Sequence, residues 1–349
     1  MVQRAHVLGS GVTALSVASL LARQHFAVTR ERTSSNRGPV VVLNPVTVDL
    51  LAHLFDGVPT ALAGAHPIRF RSVRWGVDAS AVTVPAPALV VPEERLVEAL
   101  SKRAPNRTDE SATAPYDTWY VCARGRGSPR TSRRRFGQRR ILAAEFTLCG
   151  PDAVSVLENT CSGWVFMAPT GPRRAVVQAA VPEESPHSER GLLDLVAETQ
   201  DIAARIGEVL SDVTVADGSP SLAPWLVVPG AIAVGDEAVS FDPLNGDGVG
   251  QALRASILAS AVLAAIAAGQ EIQTCLTHYR SRLIAALARH LRGCERYYRT
   301  AAFSQAWAPQ LADTAEGIAD LETQLARLPP FAFGLRERSL VPLADVAPR

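Results

Sequence analysis

With 349 residues and a mass of 37.2 kDa, the chain is longer than most single-core domains, which points to two sub-domains sharing a surface or to one large α/β unit. A content of 47% hydrophobic and 20% charged residues excludes disorder over most of the length. Lys and Arg total 35 against 34 Asp and Glu, a formal charge of +1, so no global field draws the protein to nucleic acid or to an anionic membrane, and neither is expected as a partner.

In chain order, an apolar run at 5–8 ends in Gly9-Ser10-Gly11-Val12-Thr13-Ala14, and apolar residues at helical spacing continue over 15–23. Arg4 and the small, apolar run to Ala22 have the outline of a secretory signal, but the glycines at 9 and 11 fall where a strand would turn into a helix. Strand, tight turn and helix is therefore the expectation, with a second short strand at 26–28. The spacing of Val46, Leu50, Leu51, Leu54 and Phe55 predicts a helix that stops at Gly57. Strands are expected at 68–76 and 81–84, then an amphipathic helix at 92–103 with Leu96, Val97 and Leu100 on one side. A polar, proline-bounded loop covers 105–115, and a strand at 118–123 ends at Gly125.

Short apolar or alternating runs at 141–148, 153–157, 163–168 and 175–181, separated by turn residues, have the pattern of an antiparallel sheet. Leu195, Ile202, Ile206 and Val209 predict a helix over 192–210. A buried strand at 231–234, a long helix at 246–268 opened by glycines and another helix at 273–303 follow, and the tail from Pro329 reads as loop with a short helix. The apolar stretch 257–268 is shorter than the roughly 20 residues a membrane span requires. Five cysteines, an odd number without a CxxC pair, suggest neither a disulfide framework nor a zinc site, and a reducing, cytoplasmic setting is expected. The seven histidines have no HxH or HExxH spacing and no GxSxG elbow occurs, so no metal site and no nucleophilic triad is expected.

Two glycine clusters carry the candidate chemistry. In the first, Gly9, Gly11, Thr13 and Ala14 form a βα turn where a dinucleotide pyrophosphate could approach backbone amides, although such turns also occur without a nucleotide. Glu31, 22 residues after Gly9 and followed by Arg32, stands near the place of a ribose-binding acid. The second runs Val234-Gly235-Asp236-Glu237-Ala238 and then Phe241-Asp242-Pro243-Leu244-Asn245-Gly246-Asp247-Gly248-Val249-Gly250. Three glycines at a helix start are costly by about 1 kcal/mol each relative to alanine, which suggests a close backbone approach by something else. Trp164 and Phe166, on one alternating face, are candidates for an aromatic pocket, with plain core packing the alternative.

The second cluster resembles the second FAD-binding motif of the flavoprotein aromatic hydroxylases. Its Asp-Pro-Leu form looks most like a branch near the tryptophan halogenases, the maturases that hydroxylate a peptidyl tryptophan on the way to a tryptophylquinone. Leu43-Asn44-Pro45, Gly163-Trp164 before Ala168-Pro169, and Tyr297-Tyr298-Arg299 extend the resemblance over most of the chain. The resemblance implies that Asp236, beside Gly235, holds the FAD ribityl chain, that Pro243 lies beside the isoalloxazine, and that 246–250, including Gly246, Gly248 and Val249, offer amides to its pyrimidine edge. It departs in three places: Arg124 stands for the acid of the central Asp-Gly motif, Glu93 for an arginine, and the segment between the helix at 92–103 and the strand at 118 is short. Halogenation is not expected, because there is no Trp-x-Trp-x-x-Pro segment and the only lysine, Lys102, lies outside the strand at 68–76.

The expected fold is α/β: a discontinuous Rossmann-like FAD-binding domain (1–66, 92–128 and 222–300), an inserted antiparallel substrate domain (67–91 and 140–221) and a helical and loop extension (301–349). The expected activity is FAD-dependent monooxygenation of an electron-rich aromatic, a small metabolite or a peptidyl tryptophan, through a flavin C4a-hydroperoxide. NAD(P)H or a flavin reductase would supply electrons. Two alternatives stand beside it: a flavin-free or weakly flavin-binding scaffold acting as a maturation partner, and a flavin-dependent dehydrogenase or reductase. The scaffold reading would use the arginines at 124, 126, 130, 133, 134, 135, 139 and 140 to dock an acidic peptide, a nicotinamide phosphate or a reductase; the plain reading of that cluster is a solvated loop.

Overall fold

Alternation along β1 (Arg4–Leu8) buries Ala5 and Val7, and the chain then turns through two glycines into α1 (Val12–Arg23) and returns as β2 (Ala27–Glu31). The computed structural model describes residues 3–32, 38–57, 62–105, 118–125, 133–301 and 303–343. β3 (Val40–Leu43) leads into α2 (Pro45–Leu54), capped by Asn44, whose side chain accepts the Thr47 amide at 2.8 Å, with proline in the first turn. β4 (His66–Arg74), β5 (Val82–Pro92), α3 (Glu93–Ser101) and β6 (Thr118–Cys122) follow. Next come β7 (Arg134–Arg135), β8 (Arg139–Leu148), β9 (Val154–Asn159), β10 (Trp164–Gly171), β11 (Arg174–Pro182) and α4 (Glu189–Ala197). Short strands β12 (Ile206–Val209), β13 (Thr214–Asp217), β14 (Ser221–Leu222), β15 (Val227–Val228), β16 (Ala231–Ala233) and β17 (Val239–Ser240) return the chain to the first layer. Three long helices, α5 (Gly248–Ala267), α6 (Ile272–Thr300) and α7 (Ala308–Ala326), precede a hairpin of β18 (Phe333–Arg336) and β19 (Ser339–Pro342).

The first sheet has the order β15-β16-β6-β1-β2, with β16, β6, β1 and β2 mutually parallel. Parallel strands need helical crossovers and bury both faces, and one core cluster indeed joins β1, α1, α5, α6 and α7. The opposite side of α1 packs with α2, α3 and Val249, Leu253 and Ile257 of α5 in a second cluster. Both helices are therefore buried on two sides, which explains why their apolar residues do not form a single stripe. By length and composition α5 could cross a membrane, but 61% of its apolar stretch is buried inside the fold, as in a core helix.

The second sheet has the order β12-β8-β11-β10-β9-β4-β5-β3, with β13 also on β8. The runs expected to be antiparallel strands at 141–181 pair as β8, β11, β10 and β9, and only β4 and β9 run parallel. Along β10, Val165 and Met167 face α4 in one cluster, whereas Trp164 and Phe166 face the aromatic side chains of α6 and the Trp307 segment. At 29 residues, α6 is roughly 43 Å long and reaches from the parallel-sheet core, at Tyr279, to this aromatic cluster, at Tyr298.

Three expectations are corrected. The helix expected over 192–210 ends at Ala197, because the buried Glu158 carboxylate takes the amides of Gln200 (3.0 Å) and Ile202 (2.7 Å) and the chain re-enters the sheet as β12. The tail from Pro329 is a β-hairpin, not a loop with a short helix, and turns at Glu337 and Arg338 with φ of 47° and 71°. β3, inside the 1–66 segment assigned to the nucleotide-binding layer, pairs antiparallel with β5 and so belongs to the second sheet. Most of the loop expected at 105–115 lies outside the described residues.

Candidate functional site

The two glycine clusters meet at the carboxyl ends of the parallel strands, the edge where open α/β sheets bind ligands. Gly9 has φ of +145°, and a Cβ there would overlap the Ala123 carbonyl at the end of β6. Its amide donates to the Glu31 carbonyl at 2.9 Å, tying the ends of β1 and β2 together. Ala14, at the third glycine position, is fully buried beneath Gly9. Gly11 is different: it caps α1, no side chain caps that helix, and nothing lies within 4 Å of where its Cβ would be. The first-turn amides of α1 thus border open space.

The second cluster is seated directly on the first. Gly235, with φ of +63°, leaves no room for a Cβ against the Thr13 side chain, and Ser256 of α5 donates to the Thr13 carbonyl at 3.2 Å. Asp236 is the middle residue of a single 3₁₀ turn, Gly235–Glu237, pinned by Arg133, whose guanidinium donates to the Asp236 (3.1 Å) and Glu237 (2.6 Å) carbonyls. A second 3₁₀ turn, Pro243–Asn245, ends at Gly246 in the left-handed region with φ of 61°. α5 then begins without a side-chain cap, because the Asp247 carboxylate turns away to accept from Thr47 (3.0 Å) and Asn44 (3.3 Å) and to pair with Arg254. A Cβ at Gly246 or at Gly248 would meet nothing within 4 Å, whereas one at Gly250 would collide with Asp247 and Thr47. Leu43-Asn44-Pro45 and the glycine helix start, far apart in sequence, are thereby one structure.

Two uncapped helix starts, each bordered by glycines that face open space, fit an elongated ligand that carries phosphates and hydrogen-bonding ring edges. Glu31, at the end of β2, has a 62% exposed side chain 3.7 Å from His6, and Arg32 beside it is exposed. Val249 is buried against α1 and α2, so its contribution is its backbone. Of the departures from the flavoprotein pattern, Glu93 accepts the Gly38 amide at 2.7 Å, and Arg124 lies just past β6 with Nη2 3.9 Å from the Cys122 sulfur.

The side chains noted on the second sheet separate. Trp164 is 2% exposed and donates its indole N–H to the Tyr298 hydroxyl at 3.3 Å, within a cluster that includes Trp307. Phe166 is half-buried and packs both with that cluster, which holds Leu244 of the Pro243 turn, and with Ile68 and Ala168.

Behind the Pro243 turn lies a network that sequence reasoning missed. Asp242 and Arg139, with side chains 0% and 1% exposed, form a buried ion pair. Tyr298 donates to both Asp242 oxygens at 2.8 Å, the Asp242 carboxylate caps the Leu244 amide at 2.9 Å, and the Asp242 amide donates to His290 Nε2 at 3.0 Å. Arg139 also donates to Thr314 of α7 at 2.9 Å. Burial, the largest single effect, opposes the charge on Arg139, but the Asp242 carboxylate together with Tyr298, Cys294 and Asp313 outweighs it and raises the guanidinium pKa. Burial, with Asp242 next, pushes the Tyr298 phenol far above its usual range, so it stays a hydrogen-bond donor. The other described arginines of the basic segment are engaged as well: Arg134 with Asp313 and Asp320, Arg135 with Asp217, and Arg140 with Glu183. Positions 126 and 130 lie outside the described residues. The one advance signal was that Asp242, Arg139 and Tyr298 each stood in a segment already singled out.

The fold is shared with solved structures that include a peptidyl tryptophan dihydroxylase and an FAD-dependent halogenase. No protein-family model and no curated protein matches the chain. Among solved structures it is similar to the peptidyl tryptophan dihydroxylase QhpG, essential for tryptophylquinone cofactor biogenesis, at 21% identity and a TM-score of 0.70 over 90% of this chain and 79% of that one. It is similar to the myxobacterial chondrochloren halogenase CndH at 19% identity and a TM-score of 0.73, covering 94% of this chain and 91% of that one. Klebsiella pneumoniae HpxO, solved with FAD and uric acid, matches at 15% identity and a TM-score of 0.64, over 93% and 96% of the two chains.

Proposed function

We propose that the protein binds FAD and oxidises an electron-rich aromatic substrate, with hydroxylation the favoured outcome. The observation that carries this reading is the meeting of two glycine turns at the ends of parallel strands, with open space over Gly11 and Gly248 at two uncapped helix starts. The α1 amides would bind the pyrophosphate, Glu31 would accept the ribose hydroxyl protons, Arg32 would face the phosphates and Asp236 would accept from the ribityl hydroxyls. Gly246, Gly248 and Val249 would present backbone to the ring edge, with Pro243 alongside. FAD, when bound, supplies the electron transfer and the activation of oxygen. The chain's own work is to hold the ring, seat the substrate against Phe166 and Leu244, and keep water out; no side-chain base is required. The Asp242 and Arg139 pair would keep the Pro243 turn in one place.

Electrons would come from NAD(P)H or from a separate flavin reductase, and the aromatic would be a small molecule or a peptidyl tryptophan. The internal pairing of Arg134, Arg135, Arg139 and Arg140 favours this reading over a scaffold that docks a partner through the arginine segment. The test is the visible absorbance of the purified protein, titrated with FAD. Flavin bands that move on binding, and a dissociation constant raised at least about tenfold by Asp236→Ala with folding intact, are expected. A protein that stays colourless in excess FAD overturns the reading.

A further inference from the structure

On the second sheet the described arginines with buried or half-buried side chains find carboxylates: Arg74 meets Glu158 and Asp201, Arg139 meets Asp242, and Arg140 meets Glu183. This is the ordinary consequence of desolvating a charge, which is costly unless the charge is paired. Arg71, in β4, is the exception. It is half-buried, and among the described residues its one hydrogen bond is long, from Nε to the Ser155 hydroxyl at 3.5 Å across the β4–β9 pairing. Burial lowers its pKa, and among the described residues no carboxylate pairs with it to offset that cost. Its guanidinium carbon lies 5.9 Å from the centroid of the Phe166 ring. Phe166 in turn shares its cluster with Leu244 of the Pro243 turn, so Arg71 stands on the face of the sheet that looks toward the candidate flavin site. Its cross-strand partner Val84 is 44% exposed, which leaves that flank accessible from solvent.

We propose that Arg71 and Phe166 form the substrate subsite, in which the guanidinium takes the carboxylate of an aromatic acid whose ring packs against Phe166. The inference deepens the proposed oxidation of an aromatic and rests on that reading for the identity of the site. Two terminal nitrogens in one plane match the two oxygens of a carboxylate, a bidentate arrangement that an ammonium cannot reproduce. The ligand carboxylate supplies the counter-charge that the protein withholds, so the pair forms when substrate arrives. A neutral arene would leave the cation unpaired, and an arene amide would compete only weakly.

The test titrates full-length protein and its Arg71→Met, Arg71→Lys and Phe166→Leu variants with indole-3-propionate and 3-(4-hydroxyphenyl)propionate, each against its carboxamide. Binding is read by saturation-transfer NMR, with and without FAD. In the wild type the acids bind at least about tenfold more tightly than the amides, the size of a charge-assisted bond. That ratio falls to about one in Arg71→Met, stays intermediate in Arg71→Lys, and is kept in Phe166→Leu while both ligands weaken. Thermal melts establish that the variants fold; should Arg71→Met not fold, the Lys variant and the loss of the ratio with added salt decide in its place. Equal affinities for acid and amide, failure of the wild type to bind either acid, or a ratio unchanged by the Arg71 substitutions would overturn the subsite. An FAD titration of the same samples separates the two readings. Acid preference that follows Arg71 in a protein without flavin bands removes the oxidation and keeps the anion site, whereas flavin bands without acid preference remove the subsite alone.

Discussion

Gly9 and Gly11 are two residues apart and have opposite reasons to be glycine. At Gly9 both the φ of +145° and the Ala123 carbonyl exclude a side chain, so Gly9→Ala should destabilise the fold by roughly 2–4 kcal/mol, measured as a shift in urea unfolding. Gly11 has φ of −83° and open space around its missing Cβ. Gly11→Ala should therefore leave stability within about 0.5 kcal/mol and weaken FAD binding, since the methyl group would stand where the pyrophosphate meets the α1 amides. Loss of stability in Gly11→Ala, or unchanged flavin affinity, would contradict that division of labour. The buried pair Arg139 and Asp242 allows a second comparison. Arg139→Met strands a carboxylate in the core and should cost about 3–5 kcal/mol, whereas Arg139→Met combined with Asp242→Leu should recover much of it. A double variant no more stable than the single would show that the pair's other bonds, to Tyr298, Leu244 and Thr314, matter more than its charges.

Between elements, the terminal hairpin meets α6 through a histidine. His278 is 3% exposed and lies edge-on to Phe331 and Phe333. Burial, reinforced by the positive charge of Arg282, lowers its pKa from 6.5 to about 4. Above pH 6.5 both folded and unfolded states hold it neutral; as the pH falls from 6.5 towards 4, the unfolded state takes up the proton first, so stability is lost across that window. The loss from this residue approaches about 3 kcal/mol at the lower end, and urea midpoints at pH 7 and pH 4.5 should differ less in His278→Gln than in the wild type. His290, lowered chiefly by burial, acts in the same direction. The same hairpin illustrates what the sequence conceals. Its turn residues, Glu337 and Arg338, both take positive φ, where Asn-Gly would have announced a two-residue turn. The turn after Ala197 was equally hidden, because its organising carboxylate, Glu158, lies about 40 residues away and no local pattern reports it. The βα turn at Gly9 and the strands β8 to β11 were legible because glycine placement and alternation are local signals. Arg139 was not, since a cation whose partner is 103 residues distant looks, in a basic run, like any solvated charge.

In the whole molecule, the long helices tie the separate cores together. α1 and α5 each pack into two clusters, and α6 passes from the parallel-sheet core to the aromatic cluster of the second sheet. An inserted sheet could in principle unfold by itself, but here its loss would take Arg139 of β8 away from Asp242 and Thr314, and Trp164 of β10 away from Tyr298. Far-UV circular dichroism, which follows the helices, and tryptophan fluorescence of a variant with Trp119 and Trp225 changed to Phe, which leaves Trp75, Trp164 and Trp307 of the aromatic cluster as reporters, should therefore give one denaturant midpoint. Separate midpoints would mean that the two sheets fold as independent units. Because the candidate flavin site is built from β1, α1, β2, β16, α5 and α2 together, a bound ligand should stabilise that single transition and not a local one. At FAD about 100 times above its dissociation constant the gain should be about 2.7 kcal/mol, seen by both probes alike. Gly11→Ala, which keeps the fold and obstructs the α1 amides, should lose the gain at the same FAD concentration. A shift confined to one probe would place the ligand outside the shared core, and no shift in a protein that shows bound-flavin absorbance would mean that unfolded chains bind FAD equally well.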